Sequence, residues 1–97
     1  MPQSFTEPSQ AFSAGHYDYK QAIQLYDKEI EKSASNYAAY NNRGLCKIHL
    51  GNEPYNVEII KDGMKDFTTA IELAKNEGVV FENANHNLAL AINMLNF

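Results

Sequence analysis

The chain has 97 residues, enough for one small domain around a single core. Apolar residues make up 44% and charged residues 21%, the balance of a globular rather than a disordered chain. The net charge is −4 and the eight basic residues are scattered singly, which argues against a phosphate-binding surface and so against nucleic acid as a partner.

Residues 1–14 are rich in Ser, Pro and Gln, with Phe5 and Phe12 as their only large apolar groups, and read as a tail or a short capping turn. The opening "MPQSFTEPSQ" lacks the basic segment and apolar stretch of a secretory signal. A helical domain is expected over 15–97. From Tyr17 to Lys32 the residues Tyr19, Ala22, Ile23, Tyr26 and Ile30 recur at spacings of three and four, a helix stripe with Asp18, Lys20, Asp27, Lys28 and Glu31 opposite. "SASN" interrupts it, and Ser35 or Asn36 is placed to cap a second helix from Tyr37 to Leu50. Tyr40, Gly44, Leu45 and Ile48 are expected to point inward there, and Gly51 to end the helix. A glycine inside a helix costs about 1 kcal/mol of propensity, so Gly44 signals the close approach of another helix.

A third helix is expected over 57–76, with Val57, Ile60, Met64, Phe67, Ile71 and Ala74 as its stripe and Gly63 on the packing side. Pro54 favours a turn entering it, with Tyr55 as a possible contact; whether 53–59 is loop or helix extension stays open. "NEG" closes this helix, and a fourth runs from Val80 to Leu95 with Phe81, Ala84, Leu88, Ala91, Ile92 and Leu95 inward. No segment alternates with period two, so the fold class is all-α with about four main helices. No apolar run approaches the roughly 20 residues of a membrane span, and a reducing cytoplasm is the expected location.

The first and third helices are one pattern written twice. "QAIQLYDKEIE" (21–31) and "DGMKDFTTAIE" (62–72) superpose without a gap, pairing Ala22 with Gly63, Tyr26 with Phe67 and Ile30 with Ile71. The second and fourth match more weakly through "YNNRGLCKI" and "NHNLALAI". Repetition of a helix-turn-helix unit points to an α-solenoid.

On these residues the chain resembles the tetratricopeptide repeat (TPR) family. "YNNRGLCKIHLG" is similar to the first helix of a repeat, "GMKDFTTAIELA" to its second, and "GHYDYKQAIQLYDKEIE" to the second helix of a preceding repeat. The resemblance covers about residues 15 to 95, or about two degenerate repeats. Lys47 stands where the family prefers an aromatic, and Gly44 and Gly63 lie about seven residues further apart than in the family. The fourth helix fits the pattern in two registers, from Phe81 or from Asn85.

The resemblance implies a module that binds a protein or peptide partner in a concave groove lined by the first helices of its repeats. Ala38, Asn41, Leu45 and His49 would face that groove from the second helix, and His86 and Leu90 from the fourth. Asn42 also matches the asparagine with which some members clamp a chaperone's terminal carboxylate, in a similar "YxNR" context. The clamp's lysine and arginine are missing from "ENANHNLA", and a carboxylate without cationic partners is bound weakly.

The remaining candidates have plainer readings. The single cysteine, Cys46, excludes an intramolecular disulfide and takes a packing position rather than that of a nucleophile. His16, His49 and His86 have no second ligand at helical spacing, so neither a metal site nor a cofactor is expected. Arg43 is expected to pack its stem and pair its head with a nearby carboxylate. Glu53, Glu58, Asp62 and Asp66 read as a solvated polar face beside Lys61 and Lys65, and no catalytic residues stand out. Residues 79–97 carry one charge, Glu82, whereas a solenoid normally ends in a polar capping helix. Leu90, Met94 and Phe97 are therefore expected to meet another chain, most simply a second copy. This supplies the alternative reading, a self-assembling structural protein.

Overall fold

The computed structural model describes residues 18–52 and 54–95, and these form four helices and no strand. They are α1 (Tyr19–Lys32), α2 (Tyr37–Leu50), α3 (Val57–Asn76) and α4 (Glu82–Leu95). The expected tail over 1–14 lies outside the described residues.

Three of the helices start the same way. The side-chain oxygens of Asp18, Asn36 and Asn56 accept the backbone N–H three residues on, at Gln21, Ala39 and Ile59 respectively, over 3.1–3.2 Å. Each cap satisfies a donor that the helix cannot pair internally. The fourth start differs from expectation: α4 opens at Glu82, two residues after Val80, which is 78% exposed. Upstream, α3 ends in a Schellman motif. The N–H of Val79 donates to Ala74 O and that of Gly78 to Lys75 O, with Gly78 at φ 76°. A left-handed residue at this position is why a glycine stands there.

The segment between α2 and α3 divides in two. Pro54–Asn56 belongs to a turn closed by the Asn56 N–H on Gly51 O (2.7 Å), with a bridge between Asn52 and Tyr55. Val57–Ile59 belong to the first turn of α3, which at 20 residues outruns the 14 of α2.

Each helix packs on its neighbour in sequence, and α2 also touches α4. The direction of travel alternates: Tyr19 at the start of α1 stacks on His49 at the end of α2, and Tyr55 before α3 donates to Met94 O near the end of α4. Helices α2 and α4 run the same way, since Tyr37 and Phe81, near their starts, meet edge to face. One apolar cluster joins Ala22 and Tyr26 of α1 to Ala39 and Cys46 of α2. The other gathers Ile60, Phe67 and Ala91, with Leu45, Ile48 and Leu88 against them.

The α2–α3 contact is the tightest. A Cβ built on Gly44 would lie 2.8 Å from Gly63 O and 2.7 Å from a Phe67 ring carbon. A Cβ on Gly63 would lie 2.9 Å from Gly44 O. The two glycines face each other, so backbone meets backbone and neither side has a flexible group that can yield.

Beside this contact runs a ladder of charge. Asp66 of α3, only 5% exposed, accepts from Arg43 Nε and Nη2 at 2.9 and 2.8 Å and from Lys47 Nζ at 3.0 Å. Arg43 Nη1 reaches Asp27 of α1 at 2.8 Å, and Lys47 reaches Asp62 at 2.9 Å. Arg43 also lies over the Tyr40 ring. Asp66 is thus a buried hub and not the solvated residue its spacing suggests. The Asp66 hydrogen bond holds the guanidinium pKa above its usual value, against the opposing effect of burial. Arg43 conforms to expectation, stem packed and head paired.

Two outcomes follow. Gly44→Ala gains about 1 kcal/mol of helix propensity, yet it inserts a methyl against backbone, and overpacking costs about 1–3 kcal/mol. A lower urea midpoint than wild type is therefore expected, and a higher one would show that α2 and α3 part at little cost. Asp66→Ala removes the buried carboxylate that Arg43 and Lys47 share and leaves each with a single, more exposed partner, Asp27 and Asp62. The cost is therefore expected toward the low end of the range for a broken buried pair, about 3–5 kcal/mol. Chemical denaturation measures this, and a loss below about 1 kcal/mol would reduce the ladder to an ordinary surface pair.

Candidate functional site

Residues on a helix advance by about 100° each, so the neighbours of α2 divide its circumference. Ala39 and Cys46 pack on α1, Gly44 and Ile48 on α3, and Arg43 and Lys47 reach the carboxylates of α1 and α3. Asn41 points to α4, where its Oδ1 accepts from Asn87 Nδ2 at 3.1 Å. The arc left over carries Ala38, Asn42, Leu45 and His49.

The same division fixes the register of α4. Ala84 and Ala91 are fully buried at the same two-turn spacing as Ala39 and Cys46, and Ala91 sits on α3 as Cys46 sits on α1. This aligns Tyr40 with Asn85, the second of the two expected registers, and pairs Leu45 with Leu90, Gly44 with Ala89 and Asn42 with Asn87. The open arc of α2 thereby continues onto α4 through Asn83, Leu90 and, at its outer rim, His86, all exposed.

The expected groove residues fall into two groups. Asn42, Leu45 and His49 share the open arc with Leu90 and His86. Leu45 is half-buried against the α3–α4 core, Leu90 is 49% exposed, and the His49 ring stacks on Tyr19 at 4.9 Å. Asn41 is a correction: at 6% exposure it forms the floor between α2 and α4 and has no free surface to offer. Of the residues expected to meet a second chain, one is placed differently and one is not described. Met94 packs against the core cluster of its own chain, and Phe97 lies outside the described residues. Ile92, expected inward, is 39% exposed.

Asn87 is the site residue that sequence reasoning missed. Its signal was the matching asparagines of "YNN" and "NHN", but only the correct register reveals that one of them reaches back to Asn41.

Among the described residues, none with a formal charge lines this face. Asn, His, Ala and Leu line it, and α4 carries no ionisable group other than Glu82 and His86. The cations of α2 are both turned to the opposite side. Lys47 holds the Asp62 carboxyl below its ordinary 3.8, chiefly through their hydrogen bond. That opposite side has its own hollow of about 410 Å³, beside the ladder and edged by Lys61 and Lys65. Cys46 belongs to neither face: it is fully buried, and burial pushes its thiol up to about 12, leaving no thiolate at neutral pH.

Comparison with protein-family models, curated proteins and solved structures finds no match to this chain. Among the described residues no helix is long and apolar enough to cross a membrane.

The Asp62–Lys47 pair gives a pH prediction. A carboxyl whose folded pKa is depressed contributes stability that is fully present above its unfolded value, about 3.9, and lost as pH falls through the folded value. Lys47→Met should return the Asp62 titration, followed by NMR, to the ordinary range and flatten the acid limb of the stability curve. An Asp62 pKa that does not move would remove Lys47 as its cause.

Proposed function

We propose that the chain is a non-enzymatic interaction module, a TPR-like α-solenoid of about two repeats that acts in the cytoplasm and binds an extended segment of a protein or peptide along the α2–α4 face. The observation that carries this reading is the uncharged face itself, where Leu45 and Leu90 recur at equivalent positions of two parallel helices among amides and imidazoles. Apolar side chains repeated on an open face suit alternate side chains of an extended ligand. The Asn42 amide can both donate to and accept from a peptide backbone. The ordered Asn41–Asn87 floor pre-sets the spacing of the two helices and so lowers the cost of binding.

The same face selects against one ligand type. A terminal carboxylate needs cations, and Arg43 and Lys47 are engaged with Asp27, Asp62 and Asp66 on the far side. The preferred ligand is an internal, uncharged or weakly charged segment with apolar side chains, and affinity should depend little on salt.

The test is NMR titration with a panel of extended peptides. Shift changes should concentrate at Asn42, Leu45, His49, Asn83 and Leu90. Leu90→Glu, at an exposed position, should weaken binding by about tenfold or more, the equivalent of about 1.4 kcal/mol, and leave the melting temperature unchanged. Lys61→Glu, on the opposite hollow, should bind as wild type. Shift changes that gather around Lys61 and Lys65 would move the site to the α1–α3 side.

A further inference from the structure

The correspondence between α2 and α4 brings out a face that no described helix occupies. On α2, Gly44 and Ile48 lie against α3, and Tyr40 stands one turn before Gly44 in the same row. Their equivalents on α4 are Ala89, Asn93 and Asn85, and all three are exposed, with Ile92 beside them. No described helix covers this side of α4, which points away from both α2 and α3. It is distinct from the groove, which looks out between α2 and α4.

We propose that this face is covered by the α4 of a second copy, packed antiparallel about a two-fold axis through Ala89. The proposal does not rest on the groove reading. Three properties of the face select a copy of itself as the occupant. The first is symmetry: Asn85 and Asn93 stand one turn before and one turn after Ala89, so an antiparallel partner brings Asn85 of each copy opposite Asn93 of the other. An amide is donor and acceptor at once, so both pairs can close, as an isologous contact requires. The second is size at the crossing point. Ala89 occupies the position of Gly44, where a small side chain lets backbones approach, and two alanines meeting there keep the helices close.

The third is charge. The chain carries −4 in total, so two copies repel through most of their surfaces. From Asn83 to Leu95 the helix has no formal charge, so two copies meet on this face without bringing like charges together; the groove is also neutral, but it lacks the self-complementary amide pair. Ile92 adds apolar area at the flank. One helix face per copy is a small interface, so the dimer is reversible, with a dissociation constant on the order of 1–100 µM.

Sedimentation velocity of the full chain across that range is the first experiment. A rise from monomer to dimer mass is expected for wild type and for Asn83→Asp, an exposed position about 120° around the helix from Ala89. Ala89→Glu should remain monomeric, with unchanged circular dichroism and melting temperature because the site is exposed. Ala89→Cys in a Cys46→Ala background supplies a second readout: mild oxidation should cross-link it rapidly to a dimer, whereas Asn83→Cys in the same background should not. A wild-type chain that stays monomeric at a concentration on the order of 1 mM, or equal cross-linking of the two cysteine variants, overturns the proposal. So does a monomeric chain whose Ala89→Glu variant loses a different partner, since the face would then serve a foreign helix.

Discussion

The meeting of Gly44 and Gly63 sets the rest of the molecule. With no Cβ on either side, the backbones of α2 and α3 approach until each carbonyl oxygen lies where the other's side chain would begin. That separation decides which groups can touch. Phe67 reaches across α2 at Gly44, and Arg43 and Lys47, one before and three after that glycine, are brought within direct reach of Asp66. At this separation one guanidinium holds Asp66 with two parallel bonds and still extends its third nitrogen to Asp27. The polar ladder is a consequence of the apolar contact.

The ladder in turn does what packing does not. The backbones of α1 and α3 do not approach each other closely, yet Arg43 joins Asp27 of the one to Asp66 of the other. A buried ion pair adds little net stability over an apolar replacement, because desolvation offsets most of the attraction. Its worth here lies in geometry. A bidentate guanidinium admits one register between α2 and α3, and the third nitrogen ties α1 to the same register. In a chain whose helices are short, such a constraint limits the alternative packings of amphipathic faces that would be equally apolar.

What the sequence made legible follows the same logic. The four helices, a cap at Ser35 or Asn36, both packing glycines and the repeated Ala/Gly-to-aromatic interval between α1 and α3 all show in residue spacing, because each is a local or strictly periodic property. Helix α2 was harder to read since three neighbours surround it: the family resemblance assigned Asn41 to an open groove, although α4 closes over it. Asp66 was misread for a related reason. It sits beside Lys61 and Lys65 in sequence, but the cations that bury it come from another helix, and no pattern within α3 reports them. Ile92 fitted the expected stripe by spacing alone; the burial of Ala84 and Ala91 turns that stripe and leaves Ile92 outside.

These placements together divide the molecule by polarity. Every cation of α2 is drawn to the α1–α3 side by the carboxylates there, and the opposite face is left with amides, imidazoles and leucines. The division is not a matter of composition, since α2 contains Arg43 and Lys47 in its middle. It is imposed by where Asp27, Asp62 and Asp66 stand, and they stand there because the glycine contact draws α3 against α2. A neutral face has no long-range steering and none of the salt-dependent attraction that charge supplies, so a ligand of the proposed kind would be held by contact: apolar area, backbone hydrogen bonds and the distance between α2 and α4. The Asn41–Asn87 bond sets that distance at the floor of the face. The two asparagines that meet there are held by the same register that seats Ala84 and Ala91 on α3, so the shape of the open face is determined from its buried side.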